Sequence, residues 1–201
     1  ALPILIEWNE DNFDLEINQY VSQAYKNKKY AFVSDYVRLY ALFNYGGIYL
    51  DTDVQVLKSF DELLHLNGFV GFEDKELVST ATIGSKKGNK IIEEWLDSYK
   101  DRVFENEGKK DETTNVRVLT NILLSYGMKQ NNLTQSVGKE DIVIYPTDYF
   151  SPLKFGSKKP KITENTVTIH WFEGTWLTIP KRLKIKIIIV IKSIIGFKNY
   201  N

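Results

Sequence analysis

Cysteine is absent from the 201 residues, which excludes disulfides and thiolate metal sites and fits a reducing compartment. An excess of either charge is also missing. The 26 Lys and Arg balance the 26 Asp and Glu for a formal net charge of +0, and bulk nucleic-acid binding usually needs a basic surplus. Long apolar runs are missing as well. In the tail from Ile179, Lys184, Lys186 and Lys192 interrupt the isoleucines and leave only Ile187–Ile191 unbroken, far short of a bilayer span. That tail reads either as an element packed on the domain or as a basic amphipathic segment lying on an anionic membrane surface. No signal peptide is visible, and the chain opens on Ala1-Leu2-Pro3 rather than Met. A preceding segment is therefore expected.

Aromatic residues are plentiful: 12 Tyr, 11 Phe and 4 Trp. They suit stacking on bases and sugars, and equally a plain core. Leu2 to Trp8 reads as a short strand, Asn9–Asn12 as a turn, and a helix follows from about Asp14 to Tyr25. Ala31 to Tyr45 is apolar nearly all round and predicts a helix buried on most sides, stopped by Gly46-Gly47. Ile48-Tyr49-Leu50 predicts a buried strand. Further helices are expected over 61–66, 89–102 and 115–126, strands over 68–73, 77–84, 142–145 and 166–171, and a polar loop over 105–114. Strands alternating with helices define an α/β class. With no repeat and no linker, the expectation is one domain over 1–178 followed by the tail 179–201.

The candidate chemistry lies after the Ile48–Leu50 run. A strand continued through Asp51-Thr52-Asp53 would turn both carboxylates to one side. Two such acids repel each other and pay desolvation, and a divalent cation removes both costs. Oxygen ligands of this type suit Mg²⁺ or Mn²⁺. A bare Asp-x-Asp also occurs as a solvated turn, so the helix before it matters. Asp35 and Arg38, three apart, share one helix face and are flanked by Phe32, Val33, Tyr36, Val37, Leu39 and Tyr40. A charged pair among those residues is costly to bury without polar partners, which favours a ligand-facing pair over an idle ion pair. Late in the chain, His170 is a candidate metal ligand or a packed core histidine. Gly174, Thr175 and Trp176 beyond it supply a turn, a hydroxyl and an aromatic donor for a diphosphate.

Ser34-Asp35-Tyr36-Val37-Arg38-Leu39 followed by Gly46-Gly47-Ile48-Tyr49-Leu50-Asp51-Thr52-Asp53 resembles the sugar-binding DXD region of glycosyltransferase family 32. That family includes bacterial capsular and exopolysaccharide transferases and fungal mannosyltransferases, and its core is similar to that of the large glucosylating bacterial toxins. Glu7–Phe13, Gly71-Phe72-Glu73, Tyr145-Pro146 with Tyr149-Phe150, and His170–Trp176 extend the likeness along the chain. The resemblance implies a GT-A fold, a Rossmann-like nucleotide-diphospho-sugar transferase, and retaining transfer from a UDP- or GDP-sugar to a glycan or lipid-linked acceptor. It implies Asp35 and Arg38 on the donor, Asp53 as metal ligand, Asp51 on ribose, sugar or metal, His170 at a late metal position, and Thr175 and Trp176 on the diphosphate. Trp171 stands where relatives often carry a second His. Thr114-Asn115-Val116 lacks a Gly-Pro often found before that helix. The family's first strand is not found ahead of Ala1.

Catalysis would come from stabilising the departing diphosphate at Asp53, helped by His170 and Thr175, with no protein nucleophile assigned and Glu73 a candidate for contacting sugar or acceptor. A phosphatase using Asp-x-Asp wants Thr or Val where this chain has Gln55. A sugar-nucleotide-binding scaffold without turnover is the other alternative. The expected setting is a bacterial polysaccharide pathway, in the cytoplasm or at the inner face of the membrane.

Overall fold

The computed structural model describes residues 5–174 apart from positions 140 and 158. Residues 5–8 form no strand, contrary to the reading of Leu2–Trp8. Asn9 and Asn12 close the expected turn through their side chains, Asn9 Oδ1 accepting from the Asp11 N–H and Asn12 Oδ1 from the Asn9 N–H. The first helix, α1 (Gln19–Lys26), starts later than expected. Its cap is Asn18, whose side chain accepts from the Val21 N–H at 2.9 Å, while Asp14 closes a local turn onto the Glu16 N–H. A short polar side chain that bonds its own neighbours delays a helix rather than starting it.

Helix α2 (Tyr30–Tyr45) follows the apolar run and ends at Gly46. Gly46 has φ +73°, and a Cβ there would lie 2.7 Å from the Lys87 backbone nitrogen. Both conformation and space reserve this stop for glycine. The chain then builds β1 (Gly47–Leu50), β2 (Val54–Val56), a single 3-10 turn over Asp61–Leu63, β3 (Gly68–Gly71), β4 (Thr82–Ser85) and α3 (Lys90–Asp97). After these come β5 (Glu105–Asn106), β6 (Lys109–Lys110), α4 (Asn115–Ser125), β7 (Gln135–Val137), β8 (Ile142–Tyr145), α5 (Thr147–Phe150) and β9 (Thr168–His170).

Five strands form a mixed sheet in the order β1-β4-β3-β8-β7. Only β3 and β8 run parallel among them; the other neighbours are antiparallel. Strand alternation divides the sheet into two faces. Val70, Ile83, Ile142 and Ile144 join the large core beneath α1–α4, with Tyr20, Trp95, Leu119 and Leu123 fully buried. Phe69 turns the other way, stacked between Phe60 and Phe150 at 6.0 and 5.6 Å. Gly84 makes room for it, since a Cβ there would meet the Phe69 ring at 2.0 Å.

Two further expectations are corrected. The Ile48–Leu50 run is a strand, but an edge strand of intermediate exposure rather than a buried one. The polar stretch 105–114 is not a plain loop: it carries a hairpin, Glu105 pairing with Lys110, turned through Glu107 and Gly108 at positive φ. The strand expected over 166–171 is present as β9; it pairs not with the main sheet but with β2, 112 residues earlier at the Val56–Thr168 register. The tail 179–201 lies outside the described residues. No helix among the described residues is long and apolar enough to cross a membrane.

Candidate active site

Residues 51–53 do not continue β1. The chain turns at Asp51, whose carbonyl accepts the Val54 N–H at 3.0 Å, so the alternation expected of a strand does not operate here. The carboxylates converge for another reason. The Asp51 N–H is held by the Ala81 carbonyl at 2.9 Å at the end of the β1–β4 ladder. The turn then feeds β2, and β2 pairs Val54 directly with His170. One ligand atom from each of Asp51, Asp53 and His170 consequently lies within 4.8 Å of the others. All three residues are of intermediate exposure.

Asp53 is tied to the segment after β9. Its carbonyl accepts the Trp171 N–H at 3.0 Å, its Oδ2 accepts the Glu173 N–H at 2.8 Å, and its Oδ1 stands 3.4 Å from His170 Nε2. Phe172, between these two bonds, takes φ +52°, uncommon for a bulky residue, and lays its ring 4.0 Å from that of His170. Burial pushes the His170 pKa down, against the pull of Asp53 and Asp51, so the imidazole is neutral near pH 7 with a lone pair to offer. Its Nδ1 is buried with no partner among the described residues.

Asp51 connects this group to a second, drier one. The Arg38 guanidinium lies 2.8 Å from Asp35 Oδ1, 3.3 Å from Asp51 Oδ1 and donates to the Thr80 carbonyl at 2.8 Å. It stacks 4.4 Å over the Tyr49 ring, and the Tyr49 hydroxyl donates to Asp51 at 2.7 Å. Arg38 is only 5% exposed. Burial opposes its charge, but Tyr49, Asp35 and Asp51 overcome that and hold it firmly protonated. Asp35 is pushed up to about 6, first by burial and then by Asp51, with Arg38 only partly offsetting the shift. One guanidinium thus serves two carboxylates, and the charge around Asp51 and Asp53 stays negative.

The helix face predicted for Asp35 and Arg38 is the one the structure presents to Asp51. Thr175 and Trp176 lie outside the described residues. Three contributors were not singled out by the sequence. Tyr49 was visible as a strand residue and as one letter of the motif, with no role of its own. The Thr80 carbonyl is a backbone group with no sequence signature. Asn115 is the third: its Oδ1 accepts from Trp95 Nε1 and the Tyr99 hydroxyl at 3.2 and 2.7 Å, and its Nδ2 donates to the Asp35 carbonyl at 3.1 Å. This buried amide locks α2 against α3 and α4 at the point where Asp35 must be placed. Asn at the start of a helix gives only a capping signal.

Two carboxylates and an imidazole within one ion's reach are a set that could hold a divalent cation, and a buried arginine stands beside them. Residues 4–70, about a third of the chain, match the family described as a glycosyltransferase sugar-binding region containing a DXD motif. That segment holds Asp35, Arg38, Asp51 and Asp53.

The chain is 38% identical over 82 residues to glucan organizing enzyme 1 of Cryptococcus neoformans, covering 36% of this chain and 22% of that protein. It is 34% identical over 76 residues to inositol phosphoceramide mannosyltransferase 3 of Schizosaccharomyces pombe, covering 38% and 20%. An uncharacterized protein of Arabidopsis thaliana is 29% identical over 123 residues, covering 60% and 18%. The chain spans about a fifth of the length of these relatives. No solved structure matches it.

Proposed function

We propose that the protein is a metal-dependent glycosyltransferase of GT-A type that moves a hexose, with retention, from a nucleotide-diphosphate sugar to a glycan or lipid-linked acceptor. The observation that carries this reading is the convergence of Asp51, Asp53 and His170 within 4.8 Å beside the Asp35–Arg38–Asp51 chain. The donor set fits Mn²⁺ or Mg²⁺: two hard carboxylates, a neutral imidazole, and too few protein ligands to close the shell. His170 turns Nε2 toward Asp53 at 3.4 Å, and that is the nitrogen it would offer an ion.

A divalent cation bound there supplies charge stabilisation to a departing diphosphate. The chain's own residues do the rest. Asp53 holds its carboxylate in place through the Glu173 N–H. Arg38 fixes Asp35 and Asp51 rigidly enough to orient sugar hydroxyls, which is how positioning lowers a barrier. Thr175 and Trp176 are assigned to the diphosphate on the sequence pattern alone. A UDP-sugar is the favoured donor. The relative named as an inositol phosphoceramide mannosyltransferase supports mannose and a lipid-linked acceptor as the alternative to be screened beside it. A lipid-linked acceptor would suit a basic tail at the inner face of a membrane.

The test is a thermal-shift screen of UDP- and GDP-sugars with and without Mn²⁺, followed by hydrolysis assays. Stabilisation by one donor only when Mn²⁺ is present, lost in Asp53→Ala, is the expected result. Phosphate release from simple monoesters would instead indicate a phosphatase, and binding without turnover a scaffold.

A further inference from the structure

Four acids stand in this part of the fold, Asp35 on α2, Asp51 and Asp53 after β1, and Glu73 after β3, and three of them have protein partners. Asp35 has Arg38, Asp51 has Arg38 and Tyr49, and Asp53 has the Glu173 N–H and His170. The fourth is Glu73. It follows β3, one of the two parallel strands, where ligands of α/β sheets collect beyond the carboxyl end.

Its main chain is fixed. Phe72 bridges to Val78, the Ser79 N–H donates to the Gly71 carbonyl, and the Glu73 N–H donates to the Leu77 carbonyl, both at 2.8 Å. The segment Ser79–Ala81 therefore separates Glu73 from Asp51, whose own N–H bonds Ala81 on the other side. Glu73 is only partly exposed, and its carboxylate has no hydrogen-bond or ion-pair partner among the described residues. Burial first, and then Asp74 and Asp51, push it up to about 7.

A shielded carboxyl without a donor costs stability. In a site that exists to hold polyhydroxylated substrates, the missing donor is a hydroxyl. Glu73 is outside the group whose ligand atoms meet within 4.8 Å, and it lies across the 79–81 segment from the Arg38 pair that the donor sugar would use.

We propose that Glu73 binds a hydroxyl of the saccharide acceptor and so positions the acceptor for transfer. This deepens the glycosyltransferase reading and rests on it. Either ionisation state of the carboxyl accepts such a bond, so the proposal does not depend on pH.

The experiment uses the full chain with Mn²⁺ and whichever nucleotide sugar the wild type cleaves. It measures hydrolysis by water and transfer to a panel of methyl hexopyranosides. Glu73→Ala is expected to leave hydrolysis within about two-fold of wild type and to raise the acceptor KM about ten-fold, the loss of one hydrogen bond to a charged or polar group. Glu73→Gln, which keeps an accepting oxygen, should recover most of that loss. Both variants should keep or raise the Tm, because an unpaired acid is removed. Hydrolysis falling together with transfer would overturn the inference and move Glu73 to the donor. So would unchanged transfer, a Tm lowered by several degrees, or a wild type that cleaves donor but takes no methyl hexopyranoside. A wild type that neither binds nor cleaves any nucleotide sugar is a separate result, which sinks the glycosyltransferase reading itself before Glu73 is measured.

Discussion

Two arginines of this molecule sit over tyrosine rings and pair with aspartates, yet they do different things. Arg102 lies 4.9 Å over both Tyr20 and Tyr99 and bonds Asp111 at 2.6 Å. One cation meets one anion, and the result fastens the β5–β6 hairpin to the helical layer, helped by Gln23 and Asn27 bonding Glu105. Arg38 lies over Tyr49 and meets two anions, with Asp53 close behind. The protonation of the acids records the difference. Burial would raise Asp111, but bonds from Arg102 and Thr113 outweigh it and the carboxyl lies below its ordinary value. Asp35, under heavier burial and sharing its arginine, is pushed up to about 6. A balanced pair is architecture, whereas a pair left one charge short has a vacancy that a cation can fill.

The widest separation between the two regions is expected at Asp53. Asp53→Ala should lower kcat for donor cleavage by at least about 10³-fold, the scale of losing electrostatic stabilisation at a leaving group. The Mn²⁺-dependent thermal shift should vanish while circular dichroism stays that of the wild type. Asp111→Ala should leave kcat unchanged. If both variants are equally inactive, the asymmetry between the regions carries no functional meaning.

Next in size is Arg38→Ala. It strands Asp35, Asp51 and the Thr80 carbonyl in a buried setting, and breaking a buried charge network from one side costs about 3–5 kcal/mol. Urea unfolding in EDTA should show this as a fall in midpoint with an unchanged slope. Adding Mn²⁺ should restore part of the loss, since a cation can neutralise the same acids. No restoration would mean that the acids do not share an ion.

How much of this could be read beforehand depends on how local each cause is. Helix α2, its Gly46 stop and the Asp35–Arg38 face were legible because periodicity and a left-handed glycine are written within a few residues. Asp51 and Asp53 were legible as a pair, although the reason given, strand alternation, was wrong, because the chain turns there. The turn closed between Asp51 and Val54 holds them together, and the β2–β9 ladder brings His170 to them; pairing across more than a hundred residues leaves no trace in periodicity. Asn115 went unread for the same reason: its partners Trp95, Tyr99 and Asp35 come from α3, the turn after it and α2. Strand β2 was missed because three residues rich in no single signal are too short to show a period. Residues 5–8 have branched side chains, yet propensity without a partner strand does not make a strand.

The next prediction distinguishes the two aspartates by the sign of their pH dependence. Asp35 is raised from 3.8 to about 6 on folding. Between those values the folded protein holds a proton that the unfolded chain has released. The wild type should therefore lose stability as pH rises from about 4 to about 6, by an amount on the order of 2–3 kcal/mol. Asp35→Asn should remove that slope when both are measured metal-free. A wild-type stability that rises through this window with the slope unchanged in Asp35→Asn would contradict the picture of an under-compensated acid.

The smallest effect belongs to the balanced pair and runs the other way. Asp111 lies below the ordinary aspartate value of 3.8 in the folded protein, so the unfolded chain binds the proton first as pH falls. Its contribution is present above about 4 and lost below, as the folded carboxyl titrates. At pH 7, Asp111→Asn should cost about 1–2 kcal/mol, the range of a charge-assisted bond at a partly buried site. The cost should shrink toward zero as the pH drops under that of the unfolded carboxyl. Hydrogen exchange would localise the change to the hairpin and the C-terminal end of α1, because Gln23 and Asn27 bond Glu105 next to it. If protection at β1 and β9 fell as well, the two arginine clusters would be mechanically coupled, and the hairpin would have to be counted as part of the site rather than as its support.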